Sequence, residues 1–329
     1  MLLPAEATTP ADPEAVRAAL RRAGLARARH LVFHETVSKS IPPGRNAPRN
    51  IQWTLEATGD IELIGALAPD AHVVVYFAPN TARGQYEAFA AAIADRHHAP
   101  SVLSCSWGID EALAAPAAAR AMDRLFQVAA LKGITICCSS GDGGDLSNGH
   151  RSRSTFPASS PHVLSCGGTA FRPATNDEVV WSEQLAGRQM ASSGGFSTIF
   201  ERPDWQHAIE CGTVRSSGRG VPDVAAKADL RRGYAAIVAH AVVPMGGTSA
   251  AAPLWAALIG RINQRLNTRA GLLGPLLYLP RFKNATRDIV RGRTSSRFFA
   301  KPGWNPCTGL GSPNGESLLT ALEPDEPRP

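Results

Sequence analysis

The 329-residue sequence predicts an α/β fold, a parallel sheet with helices on both faces, and three observations carry that expectation. Runs of strand length, such as His72–Phe77 and Ile134–Ser139, are uniformly apolar rather than alternating, as in strands covered on both faces. Stretches of helical pattern separate these runs, which is the mark of parallel strands joined by crossover helices. Two of the runs end in polar, glycine-bearing loops, Ser104–Gly108 and Ser139–Gly144, at the edge where such sheets bind ligands.

Taken in order, Asp12-Pro13-Glu14 opens an Ala/Arg/Leu helix to about Ala26, and a Pro/Arg-rich loop, Ser38–Asn50, follows. A second helix runs from about Gln52 to Leu67 and is closed by Ala68-Pro69-Asp70. After the His72–Phe77 strand come a helix over Gly84–Asp95, a strand over Ser101–Ser106 and a helix over Ala117–Lys132. Strands over Ile134–Ser139 and His162–Gly167 complete the alternation. Beyond Gly194 lie glycine-rich turns, a Val/Ala hairpin over Tyr234–Val243, a long apolar helix to about Leu266, and a loop-rich tail with a short helix over Gly315–Leu322. No polar linker or internal repeat divides the chain, so one domain over 1–329 is expected, with 323–329 a disordered tail.

The net charge of +6 raises the question of nucleic acid. Its arginine clusters, Arg17-Arg22-Arg29 and Arg287-Arg291-Arg293-Arg297, lack interleaved aromatics and any nucleic-acid-binding motif, so they read as solvated faces. The six cysteines include no Cys-x-x-Cys, and four of them lie in apolar strand-like runs where a thiol serves as a small hydrophobe. Neither a signal peptide nor a membrane span is legible.

The chemistry centres on Gly246-Gly247-Thr248-Ser249-Ala250-Ala251-Ala252-Pro253. Two glycines permit a sharp turn, Thr248-Ser249 stand where an N-cap would, and Pro253 falls in the expected first turn of the long helix. A serine at a helix N-terminus sits where a developing oxyanion is favoured, although an ordinary capped helix looks the same. A serine nucleophile needs a base, and none of the nine histidines is followed by glycine in a His-Gly-Thr setting. Glu56 and Asp60, four residues apart, share one helix face; they read either as a solvated acidic face or as a base with its orienting acid. Asp142 supplies a further acid in a tight turn.

Together these residues resemble the sedolisin family of serine-carboxyl peptidases. The resemblance runs through Glu56-x-x-x-Asp60-Ile61-Glu62, Gly65–Pro69, Tyr76–Asn80, Ser104–Gly108 and Ser140-Gly141-Asp142. It continues through Phe156–Pro161, Cys166–Thr169, Val221–Ala225, Gly246–Pro253 and Trp304–Pro313, and so covers about Pro10 to Leu322. It implies a subtilisin-like parallel sheet and an acid-acting serine endopeptidase. Ser249 would be the nucleophile, Glu56 the general base and later acid, Asp60 its orienting acid, and Asp142 the protonated oxyanion-hole acid.

The resemblance also implies one calcium ion, held by the Asp288 carboxylate, the Ile289, Lys301 and Gly303 carbonyls, and the Asn305 side chain. The family has Asp at the position of Asn305 and Gly at that of Lys301, and both departures should weaken calcium. It further implies a peptide or denatured-protein substrate, no nucleic-acid or membrane partner, a monomer, and a secreted location. Against the family pattern the chain reads as N-terminally truncated, without the prosegment and without the first strand of the sheet. A truncated, catalytically inactive relative that folds poorly or acts only by binding is the alternative, and an unrelated basic binding protein is a third reading.

Overall fold

The apolar runs assemble into one sheet in the computed structural model, which describes residues 2–4, 31–35, 51–144, 154–172, 174–207, 209, 217–238, 241–295 and 297–324. Its strands are β1 (Leu2–Pro4), β2 (Leu31–Glu35), β3 (Val73–Ala78), β4 (Val102–Cys105), β5 (Thr135–Ser139), β6 (Leu164–Phe171), β7 (Glu178–Val180) and β8 (Val224–Lys227). Their spatial order is β8-β6-β5-β4-β1-β3-β2, with every neighbouring pair parallel, and β7 joins β6 antiparallel. The expected helix over Asp12–Ala26 lies outside the described residues.

One expectation is corrected here. The sheet was expected to lack a strand, yet β1 lies between β3 and β4: Leu2, Leu3 and Pro4 stand opposite Tyr76, Phe77 and Ala78, and Leu2 also stands opposite Cys105. An open slot there would leave ladder groups of two interior strands unpaired, so even three residues are drawn in. The run escapes a pattern reading because it is short and ends in proline, which normally demotes a strand.

Four helices cover the sheet: α1 (Ile51–Leu67), α2 (Ala82–Ala94), α3 (Pro116–Leu131) and α4 (Thr248–Leu266). Thr81 caps α2 by accepting from the Gly84 N–H at 3.0 Å, and Pro116 opens α3 where a missing N–H costs nothing. These two helices bury Phe89 and Phe126, edge to face at 4.7 Å, against Leu103 and Ile136 on one side of the sheet. On the other side α4 packs Trp255 and Ile259 onto Cys137, Leu164 and Val224.

Helix α1 lies along α4 and against a hairpin of β9 (Tyr234–Val238) and β10 (Ala241–Met245), whose last residue leads directly into Gly246 and α4. Gly59 leaves room for the end of the Met245 side chain, which would have to move if a side chain stood at 59. Glu62 ties the same helix to the hairpin by accepting from the Ile237 N–H at 2.7 Å.

The described cysteines, Cys105, Cys137, Cys138, Cys166 and Cys307, are free and buried, and burial pushes the Cys138 and Cys166 thiols up, away from reactivity. Arg287, Arg291, Arg293 and Arg297 are exposed, as a solvated face should be, with Arg291 on Asp177 at 2.8 Å. Among the described residues no helix is long and apolar enough to cross a membrane.

Candidate active site

Strands β4 and β5 pair in parallel, so the loops at their carboxyl ends emerge side by side, and the N-terminus of α4 docks between them. The helix starts one step earlier than its sequence implies. Gly247, at φ +77°, is the N-cap, so Thr248 and Ser249 are the first two helical residues and Pro253 lies inside the helix. Proline has no N–H, and the carbonyl it would have served four residues back is that of Ser249. The Ser106 hydroxyl donates to that carbonyl at 3.1 Å instead. The proline thus opens a gap that binds the end of β4 to the serine.

In the sequence Ser106 is legible only as part of the polar loop Ser104–Gly108. Ser106→Ala is expected to destabilise the chain by about 1–3 kcal/mol, because the Ser249 carbonyl would lose the donor that replaces the helical one. Urea denaturation against a Ser106→Thr control, which keeps a hydroxyl, measures this; equal stability of the two variants would contradict it.

Asp142 is fastened to the same helix start. Its Oδ1 accepts from the Thr248 N–H and from the Thr248 hydroxyl, each at 2.8 Å, and the Thr248 hydroxyl accepts from the Gly141 N–H at 3.0 Å. Its Oδ2 lies against Gly247, where an added Cβ would stand 2.5 Å away. A side chain at 247 would therefore push the carboxyl aside as well as strain the positive φ. The Asp142 loop is braced from behind, since the Ala191 N–H donates to the Asp142 carbonyl at 2.9 Å and the Gly143 N–H to Ser193 Oγ at 3.0 Å. Burial raises the Asp142 carboxyl despite the two Thr248 donors, which favours a proton on this acid.

Glu56 and Asp60 face the serine from α1. Burial raises Glu56 from its ordinary 4.5 to about 7; the Ser249 hydroxyl works the other way, and the Asp142 charge adds to the rise. Asp60 is wholly buried, and burial together with the Glu56 charge pushes it well above the carboxylate range. Glu56 Oε1 and both Asp60 oxygens are shut from solvent and meet no N–H or O–H donor. The Ser106 hydroxyl stands near enough to favour the Asp60 anion, but its proton goes to the Ser249 carbonyl. Two carboxyls in such a place are satisfied by sharing a proton, one neutral and one charged. The Ser249 hydroxyl lies 3.4 Å from the Ser106 carbonyl, and it also stands near enough to Glu56 to favour the Glu56 anion.

The structure therefore brings together Ser249, Glu56, Asp60 and Asp142, and the group set beside the serine is a carboxylate. Thr248, which holds Asp142, and Ser106 are the functional residues that the motif reading passed over. The Ser104–Gly108 loop borders an apolar cavity of about 610 Å³ lined by Tyr86, Trp107, Leu113, Met122 and Phe156. Ser192–Ser197 is buried, with Ser192 Oγ donating to the Cys307 carbonyl at 2.8 Å and Ser197 Oγ to Glu111 at 2.6 Å.

The five residues expected around calcium are also neighbours. The Gly303 N–H donates to Asp288 Oδ2 at 2.7 Å, and the Asn305 side-chain nitrogen faces the carbonyls of Ile289, Lys301 and Gly303. A hydrogen-bond donor aimed at these carbonyls does not fit a cation among them.

Comparison with known proteins decides the family. The model of the Subtilase family matches residues 48–275, the span from α1 through α4 that carries all four site residues. The chain belongs to the subtilase family. Within the subtilases it falls among the sedolisins. It is 44% identical over 280 residues to kumamolisin of Bacillus sp. (strain MN-32), which covers 80% of this chain and 50% of that protein. It is 31% identical over 303 residues to tripeptidyl-peptidase 1 of Homo sapiens, covering 82% of this chain and 52% of that protein. The structure of Pseudomonas sedolisin, a serine-carboxyl proteinase complexed with two molecules of pseudo-iodotyrostatin, superposes with a TM-score of 0.82 at 26% identity, over 93% of this chain and 87% of that one. The chain spans about half the length of the curated relatives it matches. In the structure the side chain set beside Ser249 is the Glu56 carboxyl.

Proposed function

We propose that the chain is the catalytic domain of a serine-carboxyl endopeptidase that works on the acid side of neutrality. The observation that carries this reading is the meeting of a helix-N-terminal serine with a buried carboxyl pair and a third, Thr248-held carboxyl. Ser249 Oγ attacks the scissile carbonyl and gives its proton to ionised Glu56. Asp60, neutral beside it, orients Glu56 and spreads its charge. Asp142, protonated on Oδ2, donates to the oxyanion along with the start of α4. Glu56 then protonates the leaving amine, and water releases the acyl group from Ser249 by the same route.

The scheme needs one negative charge shared by Glu56 and Asp60 while Asp142 keeps its proton, which sets a bell-shaped pH profile. Burial raises Glu56 to about 7 even with the Ser249 hydroxyl favouring its anion, so the acid limb belongs to the first ionisation of the Glu56–Asp60 pair as a unit. The alkaline limb is loss of the Asp142 proton. A peptide or unfolded protein in acidic surroundings outside the cell is the matching substrate and place, and the apolar cavity beside Trp107 suits an apolar side chain of that substrate.

The test is cleavage of a denatured protein by the purified chain and by Ser249→Ala, scanned from about pH 3 to 8 to span carboxyl and histidine titration. Products are read by mass spectrometry, which separates internal cleavage from release of tripeptides, the mode named by the tripeptidyl-peptidase relatives. Internal cuts with an optimum below pH 7 that vanish in Ser249→Ala are expected. A neutral or alkaline optimum, or activity surviving in the variant, would sink the scheme; silence from a well-folded wild type would favour the binding-only reading.

A further inference from the structure

We propose that the Asn305 side-chain amide takes the place of a cation in the tail of this protein, so that the loop is held together without calcium. Asn305 is fully buried, and its two side-chain atoms face opposite chemistries. Its Oδ1 accepts from the Cys307 N–H, the Thr308 N–H and the Thr308 hydroxyl, each at 3.1 Å. Its Nδ2 points the other way, toward the carbonyls of Ile289, Lys301 and Gly303 at 3.3, 3.4 and 3.5 Å, so two hydrogens are shared among three acceptors.

This orientation is dictated by the donors on the far side. Turning the amide over would set its NH₂ against the N–H groups of Cys307 and Thr308, donor against donor, and would leave three carbonyls facing an oxygen. An aspartate at 305 has acceptors at both ends. It could take the same two N–H groups with one oxygen and offer the other, with its charge, to a cation lying among the carbonyls. Asparagine meets only the first demand with oxygen, and its NH₂ then supplies the carbonyls with the positive partner that an ion would have been.

The rest of the donor set agrees. Asp288 is exposed, and one of its oxygens is engaged by the Gly303 N–H. The pinned loop matters to the active site because its Cys307 carbonyl accepts from Ser192 Oγ, and Ser192 adjoins the Ala191 and Ser193 contacts that brace the Asp142 loop.

The proposal does not depend on the proposed activity and is tested without it. The full chain, stripped with EGTA, is titrated with CaCl₂ by isothermal calorimetry, and its melting temperature is compared in EGTA and in millimolar calcium. The wild type is expected to take up no calcium at this loop and to melt at the same temperature in both, whereas a site saturated well beyond its Kd would raise the melting temperature by several degrees. Asn305→Asp is expected to melt lower than wild type in EGTA and to regain several degrees in calcium, with uptake of one ion per chain. Uptake of one ion by the wild type with a raised melting temperature overturns the proposal, as does an Asn305→Asp variant that folds normally in EGTA and gains no calcium. Should Asn305→Asp fold only with calcium present, that dependence is the expected gain in its strongest form.

Discussion

Glu56→Gln is expected to lower kcat by at least about 10⁴, with KM changed only a few-fold, because glutamine keeps the shape of the base and cannot accept a proton. Asp60→Asn should cost much less. Burial and the Glu56 charge push Asp60 well above the ordinary range, which favours its neutral form, and an asparagine N–H can still donate to Glu56. An acid that had to ionise would show the reverse order. Combining Glu56→Gln with Ser249→Ala should be scarcely worse than either alone, because attack and proton transfer are one event and residues acting as a unit are not additive. Steady-state kinetics on a fluorogenic peptide across the acid range measures all four variants. Equal losses in Glu56→Gln and Asp60→Asn, or activity in Glu56→Gln near that of wild type, would remove Glu56 from its role as base.

The same buried carboxyls should make the fold more stable in mild acid than at neutral pH. Glu56 holds its proton to about 7 in the folded chain, against an ordinary 4.5, so between those values the folded state binds more protons than the unfolded one. Stability then falls as pH rises through this window and levels off above it, by about 3 kcal/mol for Glu56 alone at about 1.4 kcal/mol per pH unit. Asp60 and Asp142, both raised by burial, act in the same direction. The opposite sign comes from Asp95 and Asp123. Burial alone would raise them, but hydrogen bonds from Tyr76 and His98 to Asp95, and from His162 and Ser160 to Asp123, outweigh it and hold both carboxylates low. Their stabilisation is complete above the ordinary carboxyl range and is lost below it, so the maximum should fall near pH 4–5. Urea midpoints from pH 3 to 8, measured in a Ser249→Ala background to prevent self-digestion, test this. Glu56→Gln with Asp60→Asn should flatten the limb between pH 5 and 7, and a midpoint that climbs from pH 5 to 8 would contradict the account.

Local sequence determined the elements and the cast of the site. The helix expected over Gln52–Leu67 is Ile51–Leu67, the strand expected over Ile134–Ser139 is Thr135–Ser139, and the short tail helix is Gly315–Leu322 as read. Such elements are legible because a residue's neighbours within a few positions show whether one face or both are covered. Ser249, Glu56, Asp60 and Asp142 were legible for a different reason: each sits in a motif of glycines, caps or helical spacing whose order along the chain resembles one family.

Tertiary structure decided whatever depends on a partner far away in the chain. Three residues at positions 2–4 become a strand only because β3 and β4 leave a slot for them. Gly59, which weakened the helix reading, packs under the Met245 side chain from a hairpin almost two hundred positions later. Pro253 places Gly247 rather than Thr248-Ser249 at the N-cap only once Ser106, 143 residues from Ser249, is there to satisfy the freed carbonyl. Asn305 reads in the sequence as a weakened ligand, and only the N–H groups of Cys307 and Thr308 decide which end of its amide turns toward the carbonyls. In each case the sequence specifies a side chain's chemistry, while the direction of its donor or acceptor is set by groups that the fold alone brings within 3 Å or so of it.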